Sequence, residues 1–178
     1  MTTVLVMAKA PVPGRVKSRL CPPCDPRQAA SIAEAALADT LDATARSGAD
    51  RLLLALDGAP GEWLPPGVDV VAQIGTTFAD RLAAAWSEVS GPCLQIGMDT
   101  PQVTPSLLDG GLRELEHTEA ALGPATDGGW WALGMRTPHP SVFAGVPMSM
   151  DRTGRAQVAA LRAAGLAPTL LPELCDID

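Results

Sequence analysis

Short apolar runs alternate along this chain with segments whose apolar residues recur at helical spacing, and this alternation restricts the fold more than any other feature. The runs have the length of strands and are rich in Val, Leu and Ala, as expected for strands buried on both faces. We predict strands at residues 3–8, 52–56, 68–72, 93–98, 120–122, 130–133 and 169–171. Strands that alternate with helices favour an α/β fold, a mostly parallel sheet with helices on both faces.

The helices between these strands begin at recognisable capping residues. Asp25-Pro26 and Thr104-Pro105 each place a side-chain acceptor before a proline that suits the first helical turn. Apolar spacing predicts another helix from Phe78 and a last one over residues 155–164. The length of 178 residues suits one core, so we expect residues 1–178 to form a single domain.

Positive charge is concentrated in residues 9–20, although the chain as a whole carries a formal net charge of −7. The four cations are Lys9, Arg15, Lys17 and Arg19. The segment follows the first predicted strand and contains Gly14, where backbone N–H groups can approach a ligand closely. Lysine and arginine form charge-assisted hydrogen bonds with phosphate oxygens. We therefore predict that this loop binds the phosphates of a small anionic substrate, although it has neither a Walker A motif nor a dinucleotide-binding glycine pattern.

Composition restricts the binding partners and the cellular location that we expect for this chain. The acidic pI of about 4.7 disfavours nucleic-acid binding, which needs a broad basic surface. No apolar run has membrane-spanning length and the first residues do not resemble a signal peptide, so we expect a cytoplasmic protein without a membrane partner.

Cys21-Pro-Pro-Cys24 has thiol-pair spacing, but no second close pair accompanies it. We interpret these cysteines as incidental, with a redox role as the alternative.

Asp99 follows the fourth predicted strand directly. Ligands of parallel sheets bind at the carboxyl ends of strands, so Asp99, Asp57 and the basic loop are all positioned to reach one crevice. A carboxylate beside phosphates suits Mg²⁺ or Mn²⁺, while a simple turn at Asp99 is the alternative. Asp176 and Asp178 project to the same side if the segment is extended, and they are candidates to complete a metal site; a frayed acidic end is the other interpretation.

Residues 123–131, Gly-Pro-Ala-Thr-Asp-Gly-Gly-Trp-Trp, combine a turn signal with a candidate site. Asp127-Gly128 between apolar segments predicts a hairpin. The exposed backbone of this loop and the Asp127 carboxylate are candidates to contact a second substrate; a tight turn without that role is the alternative. Adjacent strand residues point to opposite faces, so we expect only one of Trp130 and Trp131 to face a site.

Taken in order, these motifs resemble a family of bacterial transferases with the type A glycosyltransferase fold, often labelled arsenosugar-biosynthesis glycosyltransferases. The resemblance is carried by Lys17-Ser18-Arg19-Leu20, then Gln73, Gly75 and Arg81, then Gly97-x-Asp99-x-Pro101, then Gly123-Pro124-x-x-Asp127-Gly128-Gly129, then the late Asp-x-Asp. The first of these motifs is also similar to the loop of guanylyltransferases that activate phospholactate or phosphoenolpyruvate.

The resemblance implies a nucleotide-diphospho-sugar transferase fold and a role for each motif. Phosphates would be held by Lys9, Gly14, Lys17 and Arg19, the metal by Asp99 with Asp176 and Asp178, and the acceptor pocket would be bordered by Asp127, Gly128 and Gly129. Further candidate substrate ligands are Arg15, Gln73 and Arg81. The candidate catalytic residues are Asp99, Asp127 and Lys17.

On this interpretation the chain is a metal-dependent transferase, and the family label specifies glycosyl transfer from a nucleotide sugar, with Asp127 as the candidate base. The residues are equally consistent with nucleotidyl transfer from a nucleoside triphosphate to a small phosphorylated acid, which needs no base. Two other hypotheses stay open. One is nucleotide-free chemistry on phosphoenolpyruvate or on an inorganic oxyanion such as phosphate or arsenate. The other is a degenerate fold that only binds a ligand.

Overall fold

Seven strands form one sheet in the computed structural model, which describes residues 1–175. The strands are β1 (Thr3–Lys9), β2 (Arg51–Asp57), β3 (Asp69–Ala72), β4 (Cys93–Gly97), β5 (Ala120–Pro124), β6 (Trp130–Met135) and β7 (Pro168–Leu170). Their order across the sheet is β3-β2-β1-β4-β6-β5-β7. Strand β6 is antiparallel to β4 and β5, and the other named pairs are parallel. The predicted, mostly parallel sheet is confirmed.

Four α-helices cover the two faces of the sheet in the described part of the chain. They are α1 (Pro26–Ala45), α2 (Phe78–Ser87), α3 (Pro105–His117) and α4 (Thr153–Ala163). Short 3-10 helices span Ser18–Leu20 and Pro140–Phe143. None of the helices described in residues 1–175 is both long enough and apolar enough to cross a membrane.

The predicted helix starts are confirmed by their caps. Asp25 Oδ1 accepts hydrogen bonds from the backbone N–H groups of Arg27 and Gln28, and Thr104 Oγ1 accepts one from Leu107. These bonds satisfy donors that have no partner within the first turn of a helix. The last helix begins at Thr153, two residues before the predicted start.

Strand β1 is buried on both faces, and its side chains alternate between two apolar clusters. Val4 and Val6 pack with residues of α1 and α3, on what we call the α1/α3 face. Leu5 and Met7 pack with residues of α2 and α4, on the α2/α4 face. Burial on both faces explains why β1 reads as a continuous apolar run rather than an alternating one.

The pairing registers bring the loops that carry the predicted site residues to one edge of the sheet. Lys9 at the end of β1 pairs with Asp57 at the end of β2, and Gly97 ends the parallel strand β4 beside Met7. Because β6 is antiparallel, its first residue, Trp130, lies at this same edge. We call it the carboxyl edge, and it is the edge at which parallel α/β sheets bind ligands.

Candidate active site

A cavity of about 730 Å³ lies along the carboxyl edge, and most of the predicted site residues line it. This volume is in the range of small-molecule sites. The predicted residues on its wall are Lys9, Arg15, Lys17, Arg19, Gln73, Arg81, Asp99, Asp127 and Gly129. Gly14 and Gly128 do not line it, and Asp176 and Asp178 lie outside the described residues.

The basic loop is anchored to the core in its middle. Val16 is buried in the apolar cluster of the α1/α3 face, and Gly14 turns the chain with a φ of +78°. Lys17, which follows Val16, also has a positive φ, 48°. This is the left-handed region, which non-glycine residues adopt uncommonly. Its side chain is only 8% exposed, and Nζ lies 2.7 Å from Asp99 Oδ1. The loop therefore holds this ammonium group against the end of β4.

Asp99 is set at the end of β4 by contacts between β4 and β1. The preceding residue, Met98, accepts a hydrogen bond on Sδ from the Lys9 N–H, at 3.3 Å. The Asp99 side chain is 47% exposed and lines the cavity, so its carboxylate is accessible to a ligand. Residues 1–175 contain no group of three or more His, Cys, Asp or Glu side chains placed to hold a metal ion.

Two further predicted residues, Gln73 and Arg81, are fixed by contacts with the ends of strands. Gln73 Nε2 donates hydrogen bonds to the carbonyl oxygens of Ala8 and Ala55, so this amide joins the ends of β1 and β2. Arg81 Nη1 lies 3.0 Å from Asp57 Oδ2, and both side chains are about one third exposed. Asp57 does not line the cavity itself. Asp57 instead holds the side chain of Arg81, and Arg81 lines the cavity.

The loop between β5 and β6 is a tight turn, as the sequence predicts, and the two strands are antiparallel neighbours. Asp127 Oδ1 accepts a hydrogen bond from the Gly129 N–H at 2.8 Å, which fixes the carboxylate on the turn. Gly128 has a φ of +88°, and a Cβ atom there would collide with the Asp151 carbonyl. Its carbonyl accepts a hydrogen bond from the Gly154 N–H at 2.9 Å. Gly128 therefore docks this turn onto the start of α4.

Both adjacent tryptophans have atoms on the cavity wall, but Trp131 is only 2% exposed, so Trp130 is the one that presents side-chain surface to a ligand. Trp131 is buried on the α1/α3 face and its Nε1 donates a hydrogen bond to the Pro172 carbonyl at 2.8 Å. Trp130 packs on the α2/α4 face. The two side chains do point to opposite faces, but the cavity lies where β6 begins and reaches both sides of the sheet edge.

Several cavity residues were not identified from the sequence. They include Phe78 at the start of α2 and the segment Met148, Ser149, Met150, Asp151 and Thr153. Phe78 is 44% exposed although it shares the apolar spacing of its helix, because its turn of α2 borders the cavity. The residues before α4 have no periodicity that marks them, and they reach the site through packing against Gly128 and Gly129.

Cys21 and Cys24 are half-buried free thiols, and neither lines the cavity. The sequence interpretation of these cysteines as incidental and the redox alternative both stay predictions.

Comparison with known proteins assigns the chain to a family. Residues 30–150 match the family described as "Uncharacterized protein conserved in bacteria (DUF2064)", and the chain belongs to that family. A search of curated proteins found no match. The family description does not specify arsenosugar chemistry, which stays a prediction from the sequence motifs.

Solved structures share the fold. A protein from Desulfovibrio desulfuricans G20, provisionally assigned as a nucleotide-diphospho-sugar transferase, is 28% identical with a TM-score of 0.89, over 99% of this chain and 82% of that chain. The CMP:2-keto-3-deoxy-manno-octonic acid synthetase complexed with CTP is 12% identical with a TM-score of 0.61, over 99% and 92%. Glucosyl-3-phosphoglycerate synthase from Mycobacterium tuberculosis, in complex with Mn²⁺, UDP and glucosyl-3-phosphoglycerate, is 12% identical with a TM-score of 0.61, over 100% and 72%. The nucleotide-diphospho-sugar transferase fold predicted from the sequence is confirmed.

Proposed function

We propose that this member of the DUF2064 family is a metal-dependent transferase that binds a nucleotide sugar and transfers its glycosyl group to a small acceptor. One observation carries the proposal. Five cationic side chains and the Asp99 carboxylate line a single cavity at the carboxyl edge of the sheet. The chain shares its fold with nucleotidyl- and glycosyltransferases. That combination suits a diphosphate that must be held in place and must leave with its negative charge neutralised.

Binding of the diphosphate is assigned to the basic loop. Lys9, Arg15 and Arg19 are exposed residues of that loop that line the cavity, and Lys17 lines it too, with its ammonium group beside Asp99. Arg81 approaches from α2 and is oriented by Asp57. Charge-assisted hydrogen bonds from these groups fix the phosphates and favour the transition state, in which negative charge accumulates on the leaving oxygen.

The donor chemistry at the end of β4 fits a hard divalent cation. Mg²⁺ and similar ions are commonly held by one or two carboxylates together with substrate phosphates, so a cage of three protein ligands is not required. Asp99 is accessible beside the phosphate-binding side chains and would hold such an ion, with Asp176 and Asp178 as the further ligands that the sequence motif suggests. Bound Mg²⁺ or Mn²⁺ would supply positive charge that stabilises the departing diphosphate.

Proton removal is assigned to Asp127. Its carboxylate lines the cavity and is oriented by the Gly129 N–H. In the proposed step, the acceptor hydroxyl oxygen forms a bond to the anomeric carbon, and the bond from that carbon to the diphosphate oxygen breaks. The electron pair of the broken bond leaves with the diphosphate, and the hydroxyl proton passes to Asp127.

Nucleotidyl transfer is the second candidate, and the number of cations favours it. Five cationic side chains exceed what a diphosphate needs and match the charge of a triphosphate more closely. In that reaction an acceptor phosphate oxygen would attack the α-phosphorus and pyrophosphate would leave. Asp127 would then have no proton to accept.

Product analysis separates the two reactions. The wild-type chain is incubated with Mn²⁺ and either a panel of nucleotide sugars or a panel of nucleoside triphosphates, with and without small alcohols and phosphorylated acids. The proposal predicts that a nucleoside diphosphate is released from one nucleotide sugar and that Asp99→Asn abolishes the release. Release of pyrophosphate from a triphosphate would support the second candidate. Release of neither product, or release that Asp99→Asn does not affect, would contradict both.

A further inference from the structure

The wall of the cavity that comes from the C-terminal half of the chain differs in chemistry from the basic loop. It includes Asp127, Trp130, Met148, Met150 and Asp151, and we call these residues the C-terminal wall. Every lysine and arginine on the cavity surface comes from residues 9–81 of the described chain, and none from the C-terminal wall. The cavity therefore has a cationic side and a side that combines apolar and carboxylate groups.

The apolar part of this wall is accessible. Met150 is 49% exposed, and Met148 and Trp130 are each partly exposed while they pack on the cluster of the α2/α4 face. Methionine and tryptophan side chains provide polarisable, adaptable surface for apolar groups. Removing apolar surface from water lowers the free energy. This part of the wall therefore favours a ligand with an apolar group that can cover it.

The carboxylates determine what else the wall accepts. Asp127 and Asp151 are both exposed side chains on the cavity surface. A phosphate or carboxylate group placed beside them would be repelled, because no cation of the described wall offsets their charge. A hydroxyl group would instead donate a hydrogen bond to either of them.

We propose that the acceptor is an uncharged hydroxyl compound with an apolar substituent, bound on the C-terminal wall. This inference rests on the proposed function, and it names the class of the second substrate. It also selects between the two candidate reactions, because nucleotidyl transfer to a phosphorylated acid would place an anion against Asp127 and Asp151.

Calorimetric titration with three small probes tests this proposal. The probes are 2-phenylethanol, glycerol and 3-phosphoglycerate, each titrated with and without Mn²⁺ and inorganic diphosphate. We expect 2-phenylethanol to bind at least about tenfold more tightly than glycerol, a gain that burial of roughly two methylene-sized groups supplies. We expect 3-phosphoglycerate to bind more weakly than 2-phenylethanol once diphosphate occupies the cationic side.

Variants locate the binding. Met150→Ser should weaken 2-phenylethanol binding about threefold to tenfold and leave the diphosphate affinity unchanged. Leu170→Ser is the matched control, because Leu170 is 65% exposed on β7 and does not line the cavity. Asp151→Lys should strengthen binding of 3-phosphoglycerate, since it replaces a repelling charge with an attracting one.

The results distinguish this inference from the proposed function. Tighter binding of 3-phosphoglycerate than of 2-phenylethanol, failure of 2-phenylethanol to bind, or an unchanged affinity in Met150→Ser would overturn the inference. Failure of diphosphate to bind with Mn²⁺ would contradict the proposed function instead, and the titrations without diphosphate would still report on the C-terminal wall.

Discussion

Lys17 Nζ lies 2.7 Å from Asp99 Oδ1, so an ammonium group of the basic loop is paired directly with the carboxylate that we assign to the metal. The lysine side chain is 8% exposed and the aspartate side chain 47% exposed. The loop after β1 and the loop after β4 are thereby joined at the point where the phosphates and the metal would meet. Changes at these two residues test different parts of the proposal.

Asp99→Asn should lower turnover by about 100-fold or more, because loss of one group that stabilises transition-state charge has effects of that order. The asparagine keeps the size of the side chain, so the melting temperature should change little. Steady-state kinetics and thermal unfolding would check both. Asp39→Asn, an exposed change on α1, is the matched control and should leave both unchanged. A normal rate in Asp99→Asn would remove the metal hypothesis.

Lys17→Gly and Lys17→Ala should both weaken binding of inorganic diphosphate about tenfold or more, the scale of one charge-assisted hydrogen bond. The two variants should differ in stability, because glycine adopts the φ of 48° without strain and alanine does not. Calorimetry gives the affinities and urea unfolding the stabilities. Arg162→Ala, an exposed change on α4, serves as the control for loss of positive charge. Unchanged diphosphate affinity would show that the loop is ordinary surface.

Gly128→Ala should destabilise the fold by about 2 to 4 kcal/mol, because it adds a collision with the Asp151 carbonyl to the strain of a φ of +88°. Gly145→Ala is a well-matched control. Its φ is +74°, but no atom lies near the added methyl group, so only about 1 kcal/mol should be lost. The comparison uses the free energy of unfolding in urea. Equal losses in the two variants would show that the turn is not held against the start of α4.

Burial raises the pKa of the Cys93 thiol well above its ordinary value of 9.0, since a thiolate is poorly solvated inside the sheet. The folded state therefore keeps a proton that the unfolded chain releases, and the free energy of unfolding should fall as the pH rises past about 9. Urea unfolding between pH 7 and pH 10.5 measures this slope. Cys93→Ala should reduce it, whereas Cys175→Ala, at an exposed position, should not. An identical slope in Cys93→Ala would contradict this assignment.

The sequence predicts the sheet and the grouping of the candidate residues at one edge, because the signals are local. Apolar runs and capping residues such as Asp25 and Thr104 identify the elements, and the rule that ligands bind at strand ends places the basic loop beside Asp99. The Asp127-Gly128 turn signal likewise gives the hairpin of β5 and β6.

Tertiary packing determines the features of the site that the sequence analysis did not predict. Asp57 ends β2 at the same edge as Asp99, but it pairs with Arg81 and does not line the cavity. The segment from Met148 to Asp151 enters the site only because Gly128 allows close backbone packing. Neither outcome has a periodic or motif signal, since both depend on contacts between residues far apart in the chain.

Thermal unfolding of the wild-type chain with a panel of nucleoside diphosphates, nucleotide sugars, phosphoenolpyruvate and inorganic oxyanions, each with and without Mn²⁺, tests the central claim most directly. A ligand at 100 times its dissociation constant stabilises the native state by about 2.7 kcal/mol, which is readily detected. The account predicts stabilisation by at least one nucleotide class that requires Mn²⁺ and is lost in both Asp99→Asn and Lys17→Gly. Stabilisation that is independent of Mn²⁺, or a response to phosphoenolpyruvate or inorganic oxyanions alone, would contradict it.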